Sequence, residues 1–425
     1  MKVAAVLDSN QFSIIFIGYV WPEPVSSAAG IRTLSLLQAI QKFKPHWKIH
    51  FLSPAKDNSF AAALRALNVS THTIAANDPI FDSLIKTLKP THVLFDRFVL
   101  EEQFGWRVKE NSPEALRIID TQDLHFLRRA REAAFQSKSP LELKTEDSYR
   151  EIAAIYRSDS SLIISDYEMR LLMENLHIPS NLLELTRFFY PATNAFLTQE
   201  KKHFVFIGNY RHPPNYDAVF WLCKEIWPKI YQKLPHAELH LYGSYPPKEV
   251  SMLHDPNHGI HFFGPAKDQY KCLAQYRINL APLRFGAGIK GKISDGWHVG
   301  TPCVSTNIGA EGMGYADNEA WAGLVANTTD EFATASISLY EDQFLWQNCA
   351  KECPPIMEKL FSFPTNASQF IHHLEKLWEE KNERRQKNFI GQMLWHHTLQ
   401  STKYLSRWIE EKNNHINTKK EGKHG

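Results

Sequence analysis

No stretch of the chain approaches the ~20 consecutive apolar residues of a membrane-spanning helix, so none is expected. Met1-Lys-Val-Ala-Ala-Val-Leu7 gives way at once to Asp8-Ser-Asn-Gln11, so no secretory leader is expected either. An excess of one charge is also missing. Lys and Arg number 48 against 46 Asp and Glu, a net charge of +2, which does not point to a nucleic-acid partner. Cysteine is scarce, and its count of five is odd. Cys223, Cys272, Cys303, Cys349 and Cys353 read as small core residues or reduced surface thiols of a cytoplasmic protein and not as a disulfide framework. Cys349 and Cys353 are four apart on an expected helix, but no further His or Cys completes a four-ligand set, so no metal site is expected. No two carboxylates stand at a spacing that marks an acid/base pair, which argues against a hydrolase.

What the chain does have is length, 425 residues with 43% hydrophobic, enough for two or three domains with cores of their own. Short apolar runs alternate with helix-like segments in two series. The first opens at Ser13-Ile-Ile-Phe-Ile-Gly18, followed by the helix Thr33 to Phe43, and continues through strands near Lys48, Ser70, His92 and Leu116. The second restarts at His203-Phe-Val-Phe-Ile-Gly208, with strands at Leu239, Ile260 and Ile278. This rhythm predicts parallel sheets covered on both faces. The polar, aperiodic segment 191–202 reads as a linker. The expected division is a first domain over 1–190, a second over 203–375, and C-terminal helices with a basic tail over 376–425.

The most informative stretch is Arg284-Phe-Gly-Ala-Gly-Ile-Lys-Gly-Lys292, which follows a strand and leads into a helix ending at Gly300. Helix N-termini leave amides unpaired and carry about half a positive charge, and Lys290 and Lys292 add two full charges. Such a loop suits a phosphate dianion. The second series lacks Gly-x-Gly-x-x-Gly after its first strand, so NAD binding is not expected.

Loop, lysines, Asp295 and Gly300-Thr-Pro302 together resemble the donor-binding region of retaining glycosyltransferases of the GT-B fold, family 4 (glycosyl transferases group 1). Phe206-Ile-Gly-Asn-Tyr-Arg-His-Pro-Pro-Asn215 and Ile308-Gly-Ala-Glu-Gly312 are similar to the same family. The resemblance implies two Rossmann-like domains facing across a cleft, with a C-terminal helix over Phe389 to Glu410 crossing back onto the first. It implies transfer of a sugar from a nucleotide diphosphate to a glycan, lipid or small-molecule acceptor, with retention and without a metal or other cofactor. The donor would rest on Gly286, Ala287, Gly288, Ile289, Lys290 and Lys292, with Asp295 at the ribose. Relatives carry an Arg and a Lys at the positions that correspond here to Asn209 and Asn215, so Arg211 or the two lysines would take that part. Ala287 stands where the family's other acidic residue falls in many members.

In the first half, Ser27-Ala-Ala-Gly-Ile-Arg32 resembles the family's small-residue loop and makes Gly30 and Arg32 candidates for the cleft; Arg32 could equally be a solvated helix residue. Asp120-Thr-Gln-Asp-Leu-His125 is similar to an acceptor-side segment. It makes Asp123 a cleft residue or the cap of the next helix, and His125, with Lys290, a catalytic candidate. Ser165-Asp-Tyr-Glu168 resembles a family motif but reads by itself as a capping box. Tyr404, Leu405 and Trp408 among basic residues pack on the first domain or meet an anionic surface at the inner face of a membrane. The departures at Asn209, Asn215, Ala287 and Asp295 keep a non-catalytic scaffold as the alternative reading, and the fold also admits a nucleotide-sugar epimerase.

Overall fold

A computed structural model describes residues 12–24, 26–192, 201–314, 321–397 and 399–421. Most of the expected linker and the last four residues lie outside the described residues. Among the described residues, seven strands build the first sheet: β1 (Ser13–Ile17), β2 (Lys48–Ser53), β3 (Ser70–Thr73), β4 (His92–Asp96), β5 (Leu116–Asp120), β6 (Ser160–Ile163) and β7 (Leu183–Leu185). Their order is β3-β2-β1-β4-β5-β6-β7. Six build the second: β8 (Lys202–Ile207), β9 (Leu239–Tyr242), β10 (Ile260–Gly264), β11 (Tyr276–Ala281), β12 (Cys303–Ser305) and β13 (Gly323–Val325). Their order is β10-β9-β8-β11-β12-β13, and every ladder in both sheets is parallel. This is the expected GT-B architecture. The order reverses at β1/β4 and at β8/β11, and open parallel sheets bind ligands beyond the carboxyl ends of strands at such points.

The central strands are apolar because both faces are covered: all five residues of β1 are buried. β7 and β13, three residues each, escaped the sequence pattern because a period of two needs a longer run to be visible. The helix after β1 begins at Ala28, not Thr33, with the Ser27 hydroxyl accepting from the Gly30 amide. The helix after β8 starts at Pro213, whose missing N–H suits a first turn, so Asn215 lies within that turn. The helix Gln343–Phe361 runs on through Pro354 and Pro355.

The chain returns to the first domain well before residue 376. Tyr190 and Ser362 form a parallel bridge, the Phe363 amide donating to the Tyr190 carbonyl. The helix Phe363–Lys387 then buries Phe370, Ile371, Leu374 and Leu377 in one cluster with Ile14, Phe16, Leu36 and Leu94. The helices Phe389–His397 and Leu399–Glu421 continue over the same domain. Trp395 Nε1 donates to the Arg157 carbonyl at 2.9 Å, and fully buried Arg107 pairs with Asp82 and with Glu410. Tyr404, Leu405 and Trp408 do not share in that packing; they face solvent. No helix among the described residues is long and apolar enough to cross a membrane.

Arg385 fastens this return. It grips Asp159 with two nitrogens, at 2.6 and 2.9 Å, and donates to the carbonyls of Pro113 and Ala115. Asp159 is almost fully buried, and breaking a buried pair from one side strands the other charge. Arg385→Ala is expected to cost about 2–3 kcal/mol, less than a fully buried pair because Arg385 is partly exposed and Arg117 remains beside Asp159. Urea unfolding checks it; a loss under about 0.5 kcal/mol would show the contact to be ornamental.

Candidate functional site

Between the carboxyl ends of the two sheets lies a cavity of about 420 Å³. Ser26 to Ala29, Gln122 and Asp123 line it from the first domain; Asn209, Arg211, Asn215 and the segment from Gly286 to Asp295 line it from the second. The two domains are closed on it. Arg131 crosses over to clamp Glu311 with two bonds, at 2.7 and 2.8 Å, and donates to the Gly286 carbonyl. At the rim, Asn209 donates to the Ser26 carbonyl and Tyr245 to Glu23.

The glycine loop enters the helix Gly291–His298, with Lys290 at its cap. Lys290 and Lys292 both line the cavity; Lys290 is buried and Lys292 partly buried. Lys290 Nζ turns back to the Gly288 carbonyl at 2.7 Å, while Lys292 donates to Asn215 at 2.7 Å and lies 4.3 Å over the Phe206 ring. Burial lowers both ammonium groups, Lys292 to about 7. Asp295 accepts from the Tyr190 hydroxyl at 2.7 Å, and burial pushes its carboxyl up to about 7 despite that bond. No ion pair among the described residues joins it to Lys292; its acceptor capacity stays directed to the cavity wall.

Not every loop residue does what its position suggests. The Gly288 amide donates to Glu168 Oε1 of the first domain at 2.9 Å, and so is not free for an anion. Ala287 packs against Leu124, Leu127 and their neighbours in the first domain. Ile289 is buried among Tyr190, Ile293 and Trp297, although it also reaches the cavity lining. Arg211 is at the mouth, its guanidinium 3.8 Å from the Tyr245 ring centre.

On the first-domain side three readings need correction. Arg32 is neither a cleft ligand nor a solvated residue. It is fully buried, held by Asp120 at 2.7–3.0 Å and by the carbonyls of Thr186 and Arg187. Gly30 lies behind the lining; a Cβ there would stand 2.5 Å from the Glu23 backbone, so it serves a close approach of chain segments. His125 stands behind the cavity wall, edge-on to Phe98, with Nε2 3.4 Å from Asp123. Burial holds its ring neutral, down to about 3. The group that reaches the cavity is Asp123 itself. Its carboxylate is bonded by Arg128 at 2.6 Å, and the nearby cations keep it well below the usual carboxylate range although burial acts the other way.

Asp123 does not cap the helix His125–Ser137. Two buried glutamates from distant segments do: Glu168 accepts from the Leu124 amide, and Glu151 from the amides of His125 and Phe126. Burial raises both, Glu151 to about 8. Ser165 caps its own helix through the Glu168 amide as expected, but the Glu168 carboxylate leaves that box to span the domains. Sequence reasoning also missed Arg97, which lines the cavity at a backbone φ of +74°. Its position immediately after β4, at a carboxyl end beside the switch point, was the available signal.

Comparison with known proteins adds three findings. Residues 201–342 match the family model described as "Glycosyl transferases group 1". No curated protein matches the chain at a significant level. Solved structures of similar fold include Anabaena Alr3699/HepE in complex with UDP and glucose, with 12% identity, TM-score 0.63, and coverage of 86% of this chain and 100% of that one. Sucrose-phosphate synthase from Thermosynechococcus elongatus has 13% identity, TM-score 0.66, and coverage of 86% and 99%. The pneumococcal O-GlcNAc transferase GtfA in complex with UDP and GlcNAc has 11% identity, TM-score 0.65, and coverage of 86% and 99%. At these identities the likeness is one of fold.

Proposed function

We propose that the protein is a glycosyltransferase, of the retaining family-4 type, that takes a sugar from a nucleotide diphosphate and passes it to an acceptor hydroxyl of a glycan, lipid or small molecule. One observation carries this reading: the lysine-bearing loop and Asp295 line a cavity between the carboxyl ends of two facing sheets. The match of residues 201–342 to the group 1 family supports it. In this reading the diphosphate lies against the start of the helix Gly291–His298, beside Lys290 and Lys292, with the ribose at Asp295. As the bond between the sugar and the diphosphate breaks, negative charge gathers on the leaving oxygens. Fixed cations already in place there stabilise it without the reorganisation that water would need. Asp123 and Arg97 face the acceptor side. The cation supply makes a resident metal or cofactor in the cleft unnecessary. The reading places the protein in the cytoplasm, consistent with its five free cysteines, and exposed Tyr404, Leu405 and Trp408 support peripheral contact with an anionic inner membrane face.

A thermal-shift screen against UDP, GDP, ADP and their sugar conjugates tests it. One nucleotide is expected to raise Tm, by about 2.7 kcal/mol of stabilisation at a hundredfold excess over Kd. A flat screen on folded protein would instead favour a non-catalytic scaffold. Donor turnover without acceptor would favour an epimerase.

A pH profile follows from the site. Asp295 has to be ionised to accept ribose hydroxyls, so donor affinity is expected to rise through about pH 7. It falls again as Lys290, lowered by burial to about 8, loses its proton, while Lys292, lowered to about 7, discharges over the same range in which Asp295 ionises and flattens the maximum. A sugar conjugate is the right probe, because its diphosphate diester does not itself titrate there. Asp295→Asn should remove the acid limb and leave the alkaline one. An acid limb that survives in the variant would assign it to another group.

A further inference from the structure

A second cluster of chemistry-bearing side chains belongs to no part of the cleft. Parallel pairing of β9 and β10 sets His261 opposite His240 in register, so the two imidazoles share one face of the sheet. Glu238, just before β9, reaches up that face. Its Oε2 is 2.7 Å from His240 Nε2 and 3.9 Å from His261 Nε2, and the three ligand atoms all lie within 4.8 Å of one another.

We propose that Glu238, His240 and His261 bind a divalent cation of the zinc class, which clips the outer strands of the second sheet together. Two imidazoles and one carboxylate are a donor set that zinc accepts, with water in the fourth place. Tetrahedral bonds of about 2.0–2.1 Å put ligand atoms roughly 3.3–3.4 Å apart. One contact here has to lengthen and the other to shorten by about half an ångström, within reach of side chains that are partly exposed. The surroundings are built for ligation as well. Tyr276 Oη is 2.7 Å from His240 Nδ1, so when a cation displaces the proton that Nε2 shares with Glu238, Nδ1 can carry the ring proton and donate it to the phenol. Tyr242 holds the Tyr276 hydroxyl in turn at 3.0 Å.

His203 completes the frame without being a ligand. Its Nδ1 accepts from the Glu238 amide at 3.1 Å, so its proton is on Nε2, which faces the Glu238 carboxylate at 3.9 Å and orients it. The sequence hides the site because its members lie in two segments that only strand register brings together. His240 also comes three residues before Gly243 of the cleft lining, roughly 10 Å along one strand. The proposal does not depend on the glycosyltransferase reading.

Calorimetric titration of the intact protein with zinc chloride, after chelator treatment, decides it. One equivalent is expected to bind and to raise Tm. His240→Ala, His261→Ala and Glu238→Gln should each weaken binding more than tenfold, and Tyr276→Phe about tenfold. His258→Ala, at an exposed histidine paired with Asp255, should leave it unchanged. Cobalt titrated alone should give the intense visible band of four-coordinate geometry, and the band should vanish in the same variants. Absence of binding, or binding that all the variants share, overturns the site. Glu238 is partly exposed, so Glu238→Gln keeps the test decisive if a histidine variant does not fold.

Discussion

Lys290→Ala is expected to lower kcat and kcat/KM together by about 10²–10³-fold, the usual cost of removing one preorganised charge from an oxyanion site. Lys290 follows the glycine loop by two residues, and its ammonium is held at the cavity by the Gly288 carbonyl. An equal loss in both constants would mean that the charge acts on the leaving group as it forms. A rise in KM alone would make it a binding residue only. Stability should hardly suffer. The fold lowers this ammonium's pKa through burial, so charged Lys290 is a strain on the folded state that alanine relieves. Lys290→Arg should not restore turnover, because a planar guanidinium does not fit a space shaped around a buried ammonium. Turnover within about threefold of the parent would remove Lys290 from the mechanism.

Gly288→Ala is expected to act differently, through the approach of the two domains. Gly288 has a φ of +66°, and a Cβ there would stand 2.8 Å from the Asp123 Cβ of the facing domain. The left-handed backbone alone costs a methyl-bearing residue about 1–2 kcal/mol. The contact is worse, since both partners are carbons close to rigid backbone. The methyl has to push the domains apart, and the Glu168 bond to the Gly288 amide goes with it. Donor affinity should fall at least tenfold, with a larger radius of gyration by small-angle scattering and little change in secondary structure. An alanine variant with parental scattering and activity would show that the loop yields instead.

Much of this was legible beforehand because it is local. Strand period, the glycine loop and the spacing of Lys290, Lys292 and Asp295 are written in short segments, and each segment folds as its pattern says. The losses share a cause. Arg32 reads as a surface cation because nothing near it in sequence is acidic; its partner, Asp120, is at the end of β5, 88 residues on. Glu168 reads as a local cap because Ser165 is three residues away, whereas its carboxylate serves Leu124 and Gly288. Asp123 reads as a cap for want of any hint that Glu151 and Glu168 already fill that place. Buried ionic groups answer to tertiary partners, and sequence distance carries no information about those.

The return of the helix Phe363–Lys387 has a consequence for how the molecule comes into being. Among the described residues, the main core of the second domain draws only on the span from Phe204 to Ala350. The core of the first domain needs Phe370, Ile371, Leu374 and Leu377. As the chain leaves the ribosome, the half made first therefore waits, with an apolar flank uncovered, for a segment made after the second half. The half made second can close on its own. Synthesis and completion run in opposite directions along this polypeptide, and its earliest strands spend the longest time in need of protection.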